Sequence, residues 1–168
     1  YDGTGNPWVR IHRIELISPN SYTITVVGTD AWLGLKDDPG VIIYAPNGSY
    51  VASGTGNNRV LVDIDASIYG SGYYFIVIYC WDEDTGNGYM DYDVQLDGNT
   101  IASGTVAAAV GYGEIPPDAI AVFDLNVTEA TNFNHTVRLP WSSTDDLDLY
   151  VYDQNAYIMG FSIGAGQE

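Results

Sequence analysis

Arg59 to Trp81 reads RVLVDIDASIYGSGYYFIVIYCW, and its two halves carry different β signals. In the first half Val60, Val62 and Ile64 alternate with Leu61, Asp63 and Asp65, the period of two expected of a strand with one buried face. From Tyr73 to Trp81 the chain is apolar without interruption, as a central strand covered on both faces would be. Outward from this stretch, short segments rich in Val, Ile, Tyr and Thr alternate with Gly, Pro, Asn and Asp every 8 to 12 residues, and nothing reads as a long helix. Asp97-Gly98, inside YDVQLDGNTIASG, suits a two-residue hairpin turn that needs positive φ angles. The pattern predicts an all-β protein, an antiparallel β-sandwich of jelly-roll-like type with an extra C-terminal half-unit.

The 168 residues, 46% hydrophobic and 13% aromatic, supply ample material for a core. Charge is lopsided: 22 Asp and Glu stand against five Lys and Arg, for a net charge of −17. Phosphate backbones are bound through positive charge, so nucleic acid is excluded as a partner, and an anionic membrane surface is equally unsuited. Seventeen of the acids are Asp, the shorter carboxylate that favours turns and cation-binding loops. That bias points to divalent cations.

The single cysteine, Cys80, lies in the apolar run and is expected to be a buried hydrophobe, with no internal disulfide. No apolar stretch is long enough for a membrane span. The chain begins at Tyr1 rather than Met, which is expected if a leader has been removed, and sequons at Asn47, Asn126 and Asn134 fit a secreted, glycan-bearing surface protein.

In the N-terminal VRIHRIELI the apolar set changes face between Ile11 and Ile14, which predicts a bulge near His12 and Arg13. Residues 1–29 hold two acids and two bases, so the whole net charge resides in the remainder. Pro116-Pro117 marks the expected boundary between a sandwich domain, 1–115, and a C-terminal half-unit, 116–168. The half-unit echoes the first domain. DPGVIIYAPNGSYVASGTG and DLDLYVYDQNAYIMGFSIGAG align at an offset of 108, pairing Asp38 with Asp146, Val41 with Leu149, Ile43 with Val151, Tyr44 with Tyr152 and Asn47 with Asn155. An incomplete sandwich leaves a strand edge open to another chain.

Three loops concentrate carboxylates: Asp37 and Asp38 with Asp30; Asp82, Asp84, Asp91 and Asp93 with Glu83 and Asn87; and Asp145, Asp146 and Asp148. Calcium takes six to eight oxygens from such loops, and several ions are expected, although solvated acids that keep the protein soluble would share this composition. The D-x-D-L-Y-V core at Asp146 to Val151 resembles the calcium-binding β-sandwich modules of the pre-peptidase C-terminal type, found at the ends of secreted peptidases. That resemblance covers about residues 134–165. It implies calcium ligation by Asp146 and Asp148 and, through the internal echo, by Asp38. The chain departs from the pattern by ending soon after the motif.

Catalytic material is thin. His12 and His135 are the only imidazoles, and neither a G-x-S-x-G elbow nor an H-E-x-x-H pair is present, so an enzyme is not expected. A calcium-stabilised accessory or carbohydrate-binding module accounts for the Tyr and Trp content. A self-assembling building block accounts for more of the features together. An acidic, Tyr- and Gly-rich β chain with a charge-neutral first strand and a truncated half-sandwich resembles in type the subunits of archaeal extracellular filaments or tubes, of the cannula or thread kind. That likeness implies a homopolymer in which Val9, Arg10, Ile11, Arg13, Ile14 and Leu16 form a strand donated to the next subunit, with Arg10 and Arg13 facing an acidic acceptor.

Overall fold

The computed structural model describes residues 8–29, 37–82, 88–108, 120–123, 149–153 and 158–162. The described residues form ten strands and one short helix, and the chain divides into two compact units, Tyr1–Asp124 and Leu125–Glu168. The first unit is an all-β sandwich of two four-stranded antiparallel sheets.

The alternating stretch becomes β5, Arg59–Asp65, with Val60, Val62 and Ile64 buried and the intervening residues exposed. It ends where the Asp65 carboxylate accepts hydrogen bonds from Ser67 N at 2.9 Å and Ser67 Oγ at 2.6 Å, capping the single-turn helix α1, Ala66–Tyr69. Gly70, at φ 87°, stops that turn, and β6, Gly72–Asp82, follows. In β6, Tyr74, Ile76, Ile78 and Cys80 enter the core between the sheets, while Phe75, Val77 and Tyr79 join a second apolar cluster on the opposite face. Burial on both faces is why this strand has no polar period.

One sheet runs in the order β1-β6-β3-β4, the other β5-β2-β7-β8, with β1 at Val9–Leu16, β2 at Ser21–Gly28, β3 at Asp38–Tyr44, β4 at Tyr50–Thr55, β7 at Tyr89–Leu96 and β8 at Asn99–Ala107. The β7–β8 hairpin turns at Asp97 and Gly98, whose φ angles of 48° and 83° give the tight turn read from the sequence. Asp97 Oδ1 also accepts from Thr23 N at 2.8 Å, which ties the turn to β2.

β1 corrects one expectation. It pairs with β6 in unbroken register from Val9↔Tyr79 to Leu16↔Gly72, with no bulge at His12 or Arg13. A change of apolar face demands a bulge only when one face is buried. Here both are: Val9 and Ile11 pack with the outer cluster, while Ile14 and Leu16 belong to the core between the sheets. The segment Ile120–Phe123 also lies against the outer cluster, where Val122 is buried and Tyr44 Oη donates to the Ile120 carbonyl at 2.9 Å.

In the second unit, β9, Leu149–Tyr152, and β10, Ile158–Ser162, form an antiparallel hairpin. The echo at an offset of 108 extends to its backbone. Val41↔Gly54, Ile43↔Ala52 and Tyr44↔Tyr50 in β3–β4 correspond to Leu149↔Ser162, Val151↔Gly160 and Tyr152↔Ile158 in β9–β10, and both hairpins shift register at the same step. Val51 and Met159 are therefore skipped at equivalent positions.

Candidate functional site

Two of the acidic loops belong to one end of the sandwich, because β3 begins there and β6 ends there. Asp38 and Asp82 are Cα partners across the β3–β6 pair, and like charges placed opposite one another are destabilising unless a cation or hydrogen bonds offset them. Asp37 is fully buried and Asp38 is 5% exposed, whereas Asp82 is exposed. Asp38 Oδ1 accepts from Asn58 N at 2.7 Å, and the Asn58 carbonyl in turn accepts from Gly28 N at 2.9 Å. Thr29 N donates to the Asp91 carbonyl at 2.8 Å, so the ends of β2, β3, β5, β6 and β7 gather around these carboxylates.

Asp91 and Asp93 turn their carboxylates elsewhere. They lie on the outward face of β7, where Asp91 Oδ1 accepts from Thr105 Oγ1 and Asp93 Oδ1 from Ser103 Oγ, each at 2.5 Å. The β7–β8 register sets Thr105 and Ser103 directly across from them. Asp63 and Thr23 form a similar pair at 2.7 Å across β5 and β2. This face is a ladder of carboxylate–hydroxyl pairs, a feature that spacing along the chain did not signal. Among the described residues no group of three His, Cys, Asp or Glu side chains is arranged to hold a metal ion. Asp84, Asp145, Asp146 and Asp148, together with Asp30, Glu83 and Asn87, lie outside the described residues, as do the sequons at Asn126 and Asn134.

Asn47 is exposed in the turn between β3 and β4. Its Oδ1 accepts from Ser49 N at 3.0 Å and from Ser49 Oγ at 2.7 Å, so the sequon hydroxyl sits on the side-chain amide.

The first strand holds polar contacts that reach far along the chain. Arg10 and Arg13 are three positions apart, and such odd spacing puts them on opposite faces of β1. The Arg13 guanidinium lies 4.1 Å above the centre of the Tyr73 ring, a cation–π contact. Arg10 turns into the sandwich, where its Nε donates to the Thr105 carbonyl of β8 at 3.2 Å. His12 lies on the same inner face, its Nε2 2.8 Å from Tyr92 Oη and its ring edge-on to the tyrosine at 5.8 Å and 76°. Gly104 makes room for this pair: a β-carbon there would stand 2.5 Å from Tyr92 Oη. Burial, with the Arg10 charge as the second cause, lowers the His12 pKa from 6.5 to about 4, so the imidazole is neutral at pH 7. Sequence reading gave His12 no partner, because Tyr92 is 80 residues away.

No protein-family model, curated protein or solved structure matches this chain. Among the described residues no helix is long and apolar enough to cross a membrane.

Proposed function

We propose that the chain is a secreted, non-catalytic structural subunit that assembles with its own copies into filaments or tubes by exchanging β1, with calcium neutralising the acidic loops. The observation that carries this reading is the repeated hairpin. In the first unit, β3–β4 is flanked by β6 and then by β1, whereas the described residues of the second unit form a two-stranded sheet. An isolated two-stranded hairpin is at best marginally stable in water, so β9–β10 gains from a further strand. β1 suits that role: among the described residues it lies at a sheet edge beside β6 and carries apolar residues on both faces, Val9 and Ile11 on one and Ile14 and Leu16 on the other. Exchange of such a strand from copy to copy is heterologous, and heterologous contacts that do not close into a ring give open fibres.

Calcium fits the acidic end through the chemistry of its donors. Asp37 and Asp38 are consecutive and buried, and Asp38 is the Cα partner of Asp82; a hard divalent cation would relieve the repulsion among such carboxylates. The exposed sequon at Asn47 fits an extracellular surface that carries glycans.

The test is negative-stain microscopy of the protein with calcium, with excess chelator, and with β1 locked to β6 by a disulfide between Ile11→Cys and Val77→Cys in a Cys80→Ser background. Positions 11 and 77 are Cα partners, so the lock preserves the observed pairing. Filaments are expected from the wild type with calcium, and dispersed particles from the chelated and locked forms. Filaments from the locked form would overturn strand exchange. Dispersed wild-type protein in calcium would overturn the building-block reading and favour a stand-alone calcium-stabilised module.

A further inference from the structure

β1 is held to the facing sheet in two ways along its length. Towards its C-terminal end, Ile14 and Leu16 pack in the apolar core. Towards its N-terminal end the inward side chains are Arg10 and His12, and they reach β8 and β7 through one hydrogen bond each. The first attachment is indifferent to pH. The second is not.

We propose that Arg10 and His12 form an acid-sensitive clasp: neutral His12 holds the N-terminal half of β1 to Tyr92, and protonating it beside Arg10 releases that half while Ile14 and Leu16 stay packed. Among the described residues no carboxylate faces His12 to compensate a second cation. On β1 the charged neighbour is Arg10 itself, two residues away on the same face. From β6 the residues opposite are Ile76 and Ile78, with Tyr74 and Cys80 flanking them on the inner face. β7 presents Tyr92, which is 1% exposed, and β8 presents Gly104, the Thr105 carbonyl and Val106. Asp91 and Asp93, the nearest carboxylates along β7, are bonded to Thr105 and Ser103 on the opposite face of that sheet.

The clasp rests on the proposed exchange only for its meaning in assembly, where opening the free end of β1 would be the first step of handing it to a neighbour. In the single chain it stands alone, and Cys80 reports on it. That thiol is the only one in the protein, is 8% exposed, and lies on the inner face of β6 one step beyond the Val9↔Tyr79 pair. Releasing residues 9–12 strips the neighbouring strand from β6 up to Tyr79, next to Cys80, and should raise the exposure of the thiol.

The experiment follows modification of Cys80 by 4,4′-dithiodipyridine, which reacts in acid, in monomeric protein from pH 7 to pH 4, normalised at each pH to free cysteine. With the imidazole titrating near 6.5 when released and near 4 when clasped, the open fraction should rise roughly twenty-fold between pH 7 and pH 5. H12N, which has no ionisable ring, should change less than about twofold. R10Q removes the neighbouring charge and should give a smaller rise than wild type, which keeps the test decisive if H12N does not fold. An equal rise in H12N, a rise in R10Q as large as in wild type, or no rise in wild type would each overturn the clasp. Filament formation plays no part in this readout, so failure of strand exchange and failure of the clasp are separately visible.

Discussion

Replacing Gly104 by Ala should break the tie between the two sheets at the first strand. The added β-carbon would lie 2.5 Å from Tyr92 Oη, 2.9 Å from Cζ and 3.3 Å from Cε1, and the ring is too deeply buried to swing into solvent. Tyr92 must shift within a packed core, a kind of overpacking that costs about 1 to 3 kcal/mol. The shift also separates Tyr92 Oη from His12 Nε2, and leaving a buried polar group unsatisfied adds about 1 to 3 kcal/mol. A loss of about 2 to 6 kcal/mol is therefore expected, read by urea unfolding of wild type, Gly104→Ala, Tyr92→Phe and the double variant. Tyr92→Phe removes the oxygen that the new methyl would strike, leaving Cζ as its closest neighbour. Alanine at residue 104 should then cost at least about 1 kcal/mol less in the phenylalanine background than in wild type. Costs that add to within about 0.5 kcal/mol would refute the proposed coupling.

Stability should also fall with acid in a way that depends on His12. The folded imidazole stays neutral to about pH 4 while the unfolded one protonates near 6.5, so between those values the unfolded chain binds more protons. The stabilisation is complete above pH 6.5 and is lost as pH falls to 4, by about 3 kcal/mol. The stability difference between wild type and His12→Asn should narrow by that amount over this range; a constant difference would refute it. Asp97→Ala removes the carboxylate that accepts from Thr23 N and puts alanine at φ 48°, so chemical unfolding should show a loss of about 1 to 2 kcal/mol. Asp97→Asn, which keeps an acceptor and tolerates that φ, should lose under half as much. If calcium sits at the acidic end, about 10 mM calcium should stabilise the protein by about 1.4 to 2.7 kcal/mol per site for a dissociation constant of about 10⁻³ to 10⁻⁴ M. Asp38→Asn should remove the contribution of its site, and an unchanged calcium response would place the ion elsewhere.

The parts legible in the sequence were those in which a single element carries its own signal. The alternation in β5, the two-faced burial of β6 and the Asp97-Gly98 turn are local, and each depends on the side-chain order of one short stretch. The hairpin echo was legible because it is a comparison of the chain with itself. The bulge assigned to β1 failed for a physical reason: the change of face was read against a sheet with one dry side, whereas this sheet has two. Side-chain partnerships were the least legible. Nothing near Asp91 or Asp93 announces that Thr105 and Ser103 will lie opposite, since that depends on hairpin register. His12 and Tyr92 meet only because β1 and β7 belong to facing sheets, and no spacing rule connects residues 12 and 92.

The shared register of β3–β4 and β9–β10 has a kinetic consequence. If the shared pairing and skipped residue let β9–β10 take the place of β3–β4 beside β6, the two hairpins compete while the chain folds. During synthesis the first copy leads the second by 108 residues, a head start of about 5 to 20 s at ordinary elongation rates, so β6 meets β3–β4 first. A chain diluted from denaturant has both copies present at once and no such ordering. Its refolding should pass through molecules that have seated the wrong hairpin and must release it, a delay that a chain made residue by residue does not meet.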